Sequence, residues 1–492
     1  MEDLQSVARG FVAALPASVE MPAGTGKTQL LAATVCELAD SGGEVLVLTH
    51  TNAGVHAIQN RLRMLGVTRG CRVATITSFA FTLARAYPQL GQITVPMVPY
   101  WPDSAEYIGA ANRISGSRHI RRVLSASFTH LLVDEYQDCS RAQHAFICTL
   151  ADAIPATGVL GDPLQAIFGF ADPLVSGAEV EARFPRHVVP IAPWRWTGHN
   201  DALGAWLLEV RHQLTPDRTI DFGPSSLPEN VTFERSSGDP RTLQLAARRA
   251  RPSDETVLVI TGPGRRQPRA AASALYGQFS VMEEISGEFM HTQITKLTAA
   301  KPAAYALWLA ELVRDCFCPY GDIDRDVLKK LENGKTVAHL KRPGFEKTLE
   351  ALDVVVSKPT LASLARAMDT VSHAGSPRLH SHEAWFDIQT AIRGAIAGGD
   401  DTSVLAAELA MARDRIRHSG RSVRRRVVSR TVLVKGLEFD HVIIADVAQV
   451  CDAHNLYVAL TRARKSLVII GNSPTLTVRA TQLEPKPKGE GR

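Results

Sequence analysis

The chain has 492 residues, 45% hydrophobic and 21% charged, with a net charge of +5. At about 150 residues per domain this is a globular protein of roughly three domains, and the mild basic bias is compatible with phosphate partners without identifying one. Seven scattered cysteines with no CxxC pair exclude a disulfide framework, and no apolar run is long enough to cross a bilayer.

The first 160 residues alternate buried strands with helices. Valine- and leucine-rich runs at 44–48 (EVLVL), 72–76 (RVATI), 130–133 (HLLV) and 158–160 predict strands. Helical stretches at 29–39 and 53–65 lie between them. Such alternation predicts a parallel sheet covered on both faces. Further strands are expected at 256–260 (TVLVI), 441–445 (HVIIA) and 467–470 (LVII). From Met282 to about Gly420 apolar residues recur at helical spacing, predicting a helical insertion with Gly420 as the stop of its last helix. The last dozen residues, with Pro485, Pro487, Gly489 and Gly491 among charges, read as a disordered tail. Two arginine clusters, Arg113 to Arg122 and Arg421 to Arg426, read as solvated helix faces. His373, His380 and His382 lie close together without cysteines, so a zinc site is not expected. Glu2 and Asp3 stand where a signal peptide would be basic, which points to a cytoplasmic chain.

Two segments carry chemistry. Residues 21–28 read MPAGTGKT. Gly24 and Gly26 let backbone N–H groups curl around an anion, Lys27 can reach β- and γ-phosphates, and Thr28 can hold magnesium. Met21 stands where the P-loop pattern has its first glycine. Residues 131–138 read LLVDEYQD, an apolar strand ending in two carboxylates. Asp134 is placed to coordinate magnesium and Glu135 to polarise an attacking water.

With DEYQD in this context the sequence resembles the superfamily 1 helicases of the UvrD/Rep type, which typically carry DExQD. The resemblance implies two RecA-like lobes, ATP and Mg2+ bound between them, and single-stranded DNA crossing both. Gln5 matches the family's adenine-reading glutamine, and Ala23, Gly24, Thr25, Gly26, Lys27, Thr28 and Gln29 its phosphate loop. His50 and Asn52, then Ser78 and Phe79 in TITSF, fall in its nucleic-acid motifs. GDPLQAIFGF at 161–170 resembles GDxxQSIYGWRG, with Gln165 sensing the γ-phosphate and Phe168 and Phe170 stacking on bases. PWRW at 193–196 resembles NYRS: Arg195 would contact the γ-phosphate and Trp194 the adenine. KGLEF at 435–439 places Gly436 and Glu438 at the nucleotide, and NLYVALTRA at 455–463 supplies Arg462 as a second arginine finger.

The implied division is α/β. A first lobe runs from 1 to 186 with a small insertion at about 88–127. A second lobe is split into 187–279 and 421–477 around the helical insertion at 280–420, and a tail follows at 478–492. The implied activity is an ATP-dependent DNA helicase or translocase moving 3′ to 5′. The alternative is a nucleic-acid-gated ATPase that regulates a partner nuclease in anti-phage defence, as compact relatives like the helicase-like subunit of Gabija do. The chain departs from the family at Gln29, where an arginine is usual. Val432, Leu433 and Val434 replace His-Ser-Ala, and Ala171 replaces the arginine after the aromatic pair.

Overall fold

The structure, a computed structural model, describes residues 2–96, 103–168, 173–249, 251–284, 287–419 and 424–480. Strands β1 (Ala17–Glu20), β2 (Val45–Thr49), β3 (Cys71–Thr75), β4 (His130–Val133) and β5 (Ala156–Gly161) form one parallel sheet in the order β1-β5-β4-β2-β3. Successive side chains leave a strand on opposite faces. Val45 and Val47 therefore pack with Phe11, Leu31 and Ile58, beneath helices α1 (Glu2–Ala13), α2 (Lys27–Asp40) and α3 (Asn52–Met64). Leu46 and Leu48 enter the opposite core with Phe79 and Phe146, under α4 (Ile76–Ala86) and the helix Arg141–Ala153.

The expected small insertion does not stand apart from this lobe. Its helices Ser104–Gly116 and Arg118–Ser127 send Ile108, Ile114, Ile120 and Leu124 into the same core as Phe79 and Phe146. The arginines of this stretch lie outside that core: Arg121 pairs with Asp152 at 3.5 Å, and Arg113 donates to the Gly91 carbonyl.

The second lobe follows. β6 (Thr219–Asp221), β7 (Val231–Arg235), β8 (Val257–Thr261) and β9 (Ser280–Val281) precede the insertion, within which β10 (Phe317–Cys318) pairs antiparallel with β11 (Arg378–Leu379). β12 (Arg426–Arg430), β13 (Phe439–Ile444), β14 (Ala463–Gly471) and β15 (Thr475–Thr477) come after it. Six of these make a second parallel sheet, β7-β14-β13-β8-β12-β9. β9 carries this sheet two residues past Phe279, so the lobe extends beyond its expected boundary. The insertion has a core of its own, centred on Leu309, Phe317, Leu349, Trp385 and Ile388. Arg413 ties it to the lobe, pairing with Asp387 at 2.8 Å and donating to the Glu284 carbonyl at 2.6 Å.

Strands β1, β7 and β12 went unread in the sequence. Their residues, ASVE, VTFER and RVVSR, mix apolar with charged side chains, so no apolar run marks them. Gly420, Arg421 and the tail from 481 lie outside the described residues. No helix among the described residues is long and apolar enough to cross a membrane.

Candidate nucleotide-binding cleft

β1 feeds directly into the phosphate loop. Gly24 and Gly26 adopt φ of +73° and +94°, which side chains with a Cβ rarely take. Gly26 caps α2, so the positive end of that helix faces the loop. Met21 needs no such freedom. It is buried in the lobe core and its N–H donates to the Gly161 carbonyl at 3.0 Å, so a packing residue serves where the family pattern has glycine. Thr25 turns its hydroxyl back to the Pro22 carbonyl at 2.7 Å.

Lys27 Nζ lies 3.0 Å from Glu135 Oε1. Burial alone would lower the lysine pKa, but Glu135, Asp134 and Asp162 together hold it above its ordinary value. Burial acts on Glu135 in the opposite sense, yet Lys27 and Lys435 keep its carboxylate well below the usual range. Glu135 also sits at φ +55°, a left-handed conformation uncommon outside glycine and enriched at functional sites. Asp134 is 4% exposed, and its Oδ1 has no hydrogen-bond partner. Burial and the neighbouring Glu135 push its pKa up to about 6.

The second lobe closes over these groups. The Arg195 N–H donates to the Gly24 carbonyl at 3.0 Å, and its guanidinium pairs with Glu438 at 2.9 Å and donates to the Thr461 carbonyl at 2.6 Å. Trp196, buried, donates from Nε1 to the Ala463 carbonyl, and its ring abuts Gly24. Arg462 is 1% exposed and donates to Gln165 Oε1 at 3.3 Å and to the Leu437 carbonyl at 3.0 Å. Burial and the like charge of Arg195 make its own charge costly. An anion in the cleft would relieve that cost.

These side chains surround a cleft of about 430 Å³. Ala23, Gly24, Gly26, Lys27, Thr28, Gln29 and Glu135 line it from the first lobe, with Gln165. Trp194, Arg195, Gly436, Glu438 and Arg462 line it from the second. Trp194 remains 60% exposed beside Gly26, a ring face free for a base. Gln5 is not brought to the cleft lining and stands exposed on α1.

Two lining or bridging groups escaped the sequence reading. Ala57, Asn60, Arg61 and Met64 reach the cleft from one face of α3, and Arg61 Nε donates to Gln29 Oε1 at 2.6 Å. An arginine thus stands beside the very position where the family's is missing. The i, i+3, i+4, i+7 spacing of those four residues was the available signal. Lys435, the first residue of KGLEF, contacts Asp138, the Gln165 carbonyl and the face of Phe168.

The expected nucleic-acid residues separate. Phe79 is 2% exposed, edge-on to Phe128, so it is a core side chain and offers no face to a base. Its place on the inner side of α4 decides this. Ser78 is engaged in a capping box with Thr75. His50 lies 3.4 Å from Cys139 Sγ, and burial together with Lys435 lowers its pKa to about 4. Asn52 opens α3 just after its Thr51 cap, and Phe168 is half-buried beneath Lys435. Phe170 and Ala171 lie outside the described residues.

Magnesium fits the donor set. A hard cation takes oxygen ligands, and Asp134 offers a buried, unpartnered carboxylate oxygen two strands from the Thr28 hydroxyl. Among the described residues no cluster of three or more His, Cys, Asp or Glu could hold a metal unaided, so phosphate oxygens and water would complete the shell.

A phosphate loop after a parallel strand, paired carboxylates on another strand, and arginines delivered from a second parallel-sheet lobe define a two-lobed P-loop protein with RecA-like lobes. Residues 12–106 and 101–177 match the UvrD/REP helicase N-terminal domain, and 432–470 match the UvrD-like helicase C-terminal domain. Over those segments the chain is similar to UvrD-like superfamily 1 helicases. No curated protein matches it. Among solved structures, the Pif1 helicase from Candida albicans shares 14% identity at a TM-score of 0.31, covering 57% of this chain and 55% of that one. The chain thus spans little more than half of that structure, and at this score the likeness carries no weight for function.

Proposed function

We propose that this chain is an ATP-driven motor that moves along single-stranded DNA as a helicase or translocase, 3′ to 5′ as in the family it resembles. The observation that carries this is the composition of the cleft: Lys27, Glu135 and Gln165 from one lobe face Arg195, Glu438 and Arg462 from the other. Hydrolysis then requires the lobes to be together, because cations neutralising the transferring phosphoryl group come from both. Lys27 and the N-terminus of α2 bind the phosphates. Glu135, held ionised by its two lysines, accepts a proton from the attacking water. Arg195 and Arg462 meet the charge that develops on the γ-phosphate, and Trp194 packs on the base. Magnesium, bound by Thr28 and Asp134, would supply neutralisation of the β- and γ-phosphate charge. Loss of the γ-phosphate removes the anion holding the arginines, so the lobes part and one shifts along the strand.

A specific observation favours a second reading. The 104–127 helices are absorbed into the first lobe's core, leaving no separate body there, among the described residues, to divide a duplex. A nucleic-acid-gated ATPase that regulates a partner nuclease, unwinding little itself, suits that shape. ATP turnover by the purified chain, with and without single-stranded DNA and beside Lys27→Ala, tests the common core. DNA stimulation that vanishes in the variant supports the motor; turnover retained in the variant removes the cleft from the mechanism. Strand separation by the isolated chain then decides for the helicase over the gated ATPase.

A further inference from the structure

We infer that Arg211 is a third interlobe arginine, a positioning residue that orients the γ-phosphate-sensing Gln165 without touching the nucleotide. The inference rests on the motor reading above. Arg211 ends the helix Asp201–Arg211 of the second lobe, yet its guanidinium inserts into the first. Nη1 lies 2.7 Å from Asp162 Oδ1, and Nη2 lies 2.9 Å from Glu20 Oε1. Asp162 is fully buried, and the Arg211 side chain is only 10% exposed. The other oxygen of Asp162 accepts Gln165 Nε2 at 2.9 Å, and Gln165 Oε1 accepts Arg462 at 3.3 Å. A continuous chain thus runs from Glu20 and Arg211 through Asp162 and Gln165 to the finger Arg462.

The chain fixes an orientation. A glutamine amide has a donor end and an acceptor end. With Asp162 anchored by Arg211, its other carboxylate oxygen faces Gln165 as an acceptor and takes the N–H end of the amide. The carbonyl end is left for Arg462. Without the arginine, Asp162 loses the partner that fixes its position, and the amide loses its fixed sense. The Arg211 guanidinium also lies 5.0 Å from the centre of the Tyr457 ring, whose hydroxyl accepts the Ala23 N–H of the phosphate loop at 3.0 Å. The loop hydrogen bond is made by the Tyr457 hydroxyl itself, whereas Arg211 acts on the sensor through Asp162. Its two acidic partners come from the ends of β1 and β5, adjacent strands, so the contact reports the position of the first lobe directly.

The test compares wild type, Arg211→Gln, Arg211→Lys, Asp162→Asn and the Gln/Asn double variant. DNA-stimulated kcat is measured for each, with the affinity for a fluorescent ATP analogue and the melting temperature alongside. Misplacing a catalytic group by an ångström can cost about 100-fold, so kcat of Arg211→Gln should fall at least about 10-fold. Nucleotide affinity should change less than about 3-fold, because binding rests on Lys27 and the loop. Arg211→Lys, keeping the charge, should recover part of the loss, and it carries the test if the glutamine variant does not fold. The double variant should be no slower than Asp162→Asn, as expected for residues acting through one network. Unchanged kcat, a loss confined to nucleotide affinity, or additive losses in the double variant would each overturn the inference while leaving the motor intact. Absent wild-type turnover would instead remove the motor reading and this inference with it.

Discussion

Lys435, carried by the second lobe, forms an ion pair with Asp138 of the first, and both side chains are almost wholly buried. The same ammonium lies 3.9 Å from Glu135 and donates to the Gln165 carbonyl. It is the point where KGLEF, DEYQD and GDPLQ meet. Burial nonetheless pushes the Asp138 pKa up to about 6, so this carboxylate depends on its lysine to stay charged.

Lys435→Gln should therefore favour the open arrangement of the lobes. Removing one partner of a buried pair costs about 3–5 kcal/mol, and here the cost falls on lobe closure, since each lobe has its own core. Small-angle scattering should show a larger radius of gyration for the variant than for wild type without nucleotide. Asp138→Asn added to Lys435→Gln should bring the radius back toward the wild-type value. Identical radii for all three would mean that the pair does not hold the lobes.

Glu135→Gln should keep nucleotide binding and lose turnover. The amide is nearly isosteric but cannot take a proton, and loss of a general base costs about 100- to 10,000-fold. The comparison is single-turnover hydrolysis against analogue binding. A variant that hydrolyses at the wild-type rate would assign the proton to another group.

Gly24→Ala and Gly198→Ala form a matched pair. Both glycines sit at φ +73°, so both substitutions incur backbone strain of about 1–2 kcal/mol. A Cβ at Gly24 would lie 2.7 Å from the Trp196 ring, whereas one at Gly198 meets nothing within 4 Å. Both variants should melt lower than wild type, but only Gly24→Ala should weaken nucleotide binding. Equal affinities would show that the Trp196 contact has no part in shaping the loop.

His380 gives the chain an acid limb. Burial, with Arg269 and His382 nearby, lowers its pKa from the ordinary 6.5 to about 4. The unfolded chain therefore binds the proton more tightly than the folded one between those values. Its contribution is intact above pH 6.5 and is lost as pH falls toward 4. Asp134 and Asp138, raised to about 6, act with the opposite sign in part of this window. The readout is therefore a difference: the slope of denaturant stability against pH for wild type minus that for His380→Gln. One differentially bound proton contributes at most about 1.4 kcal/mol per pH unit. The wild-type slope should be the more positive between pH 5 and 6, and equal slopes would place His380 in a solvated state.

The sequence by itself determined the phosphate loop, the paired carboxylates and the parallel-sheet lobes. Each is written locally. Gly24 and Gly26 are dictated by positive φ, Asp134 and Glu135 by the end of an apolar strand, and the central strands by uninterrupted valine and leucine. Strands β1 and β12 were not legible, because a four-residue ASVE and an arginine-flanked RVVSR carry no apolar run. Tertiary structure alone decided which polar residues meet across the lobes. Lys435 reaches Asp138 over 297 positions, and Arg211 reaches Glu20 over 191. It also decided that Phe79 faces a core and that the 104–127 helices belong to the first lobe. Spacing along a chain fixes which side of a helix or strand a residue occupies, but which neighbour covers that side is set by packing between elements far apart in sequence.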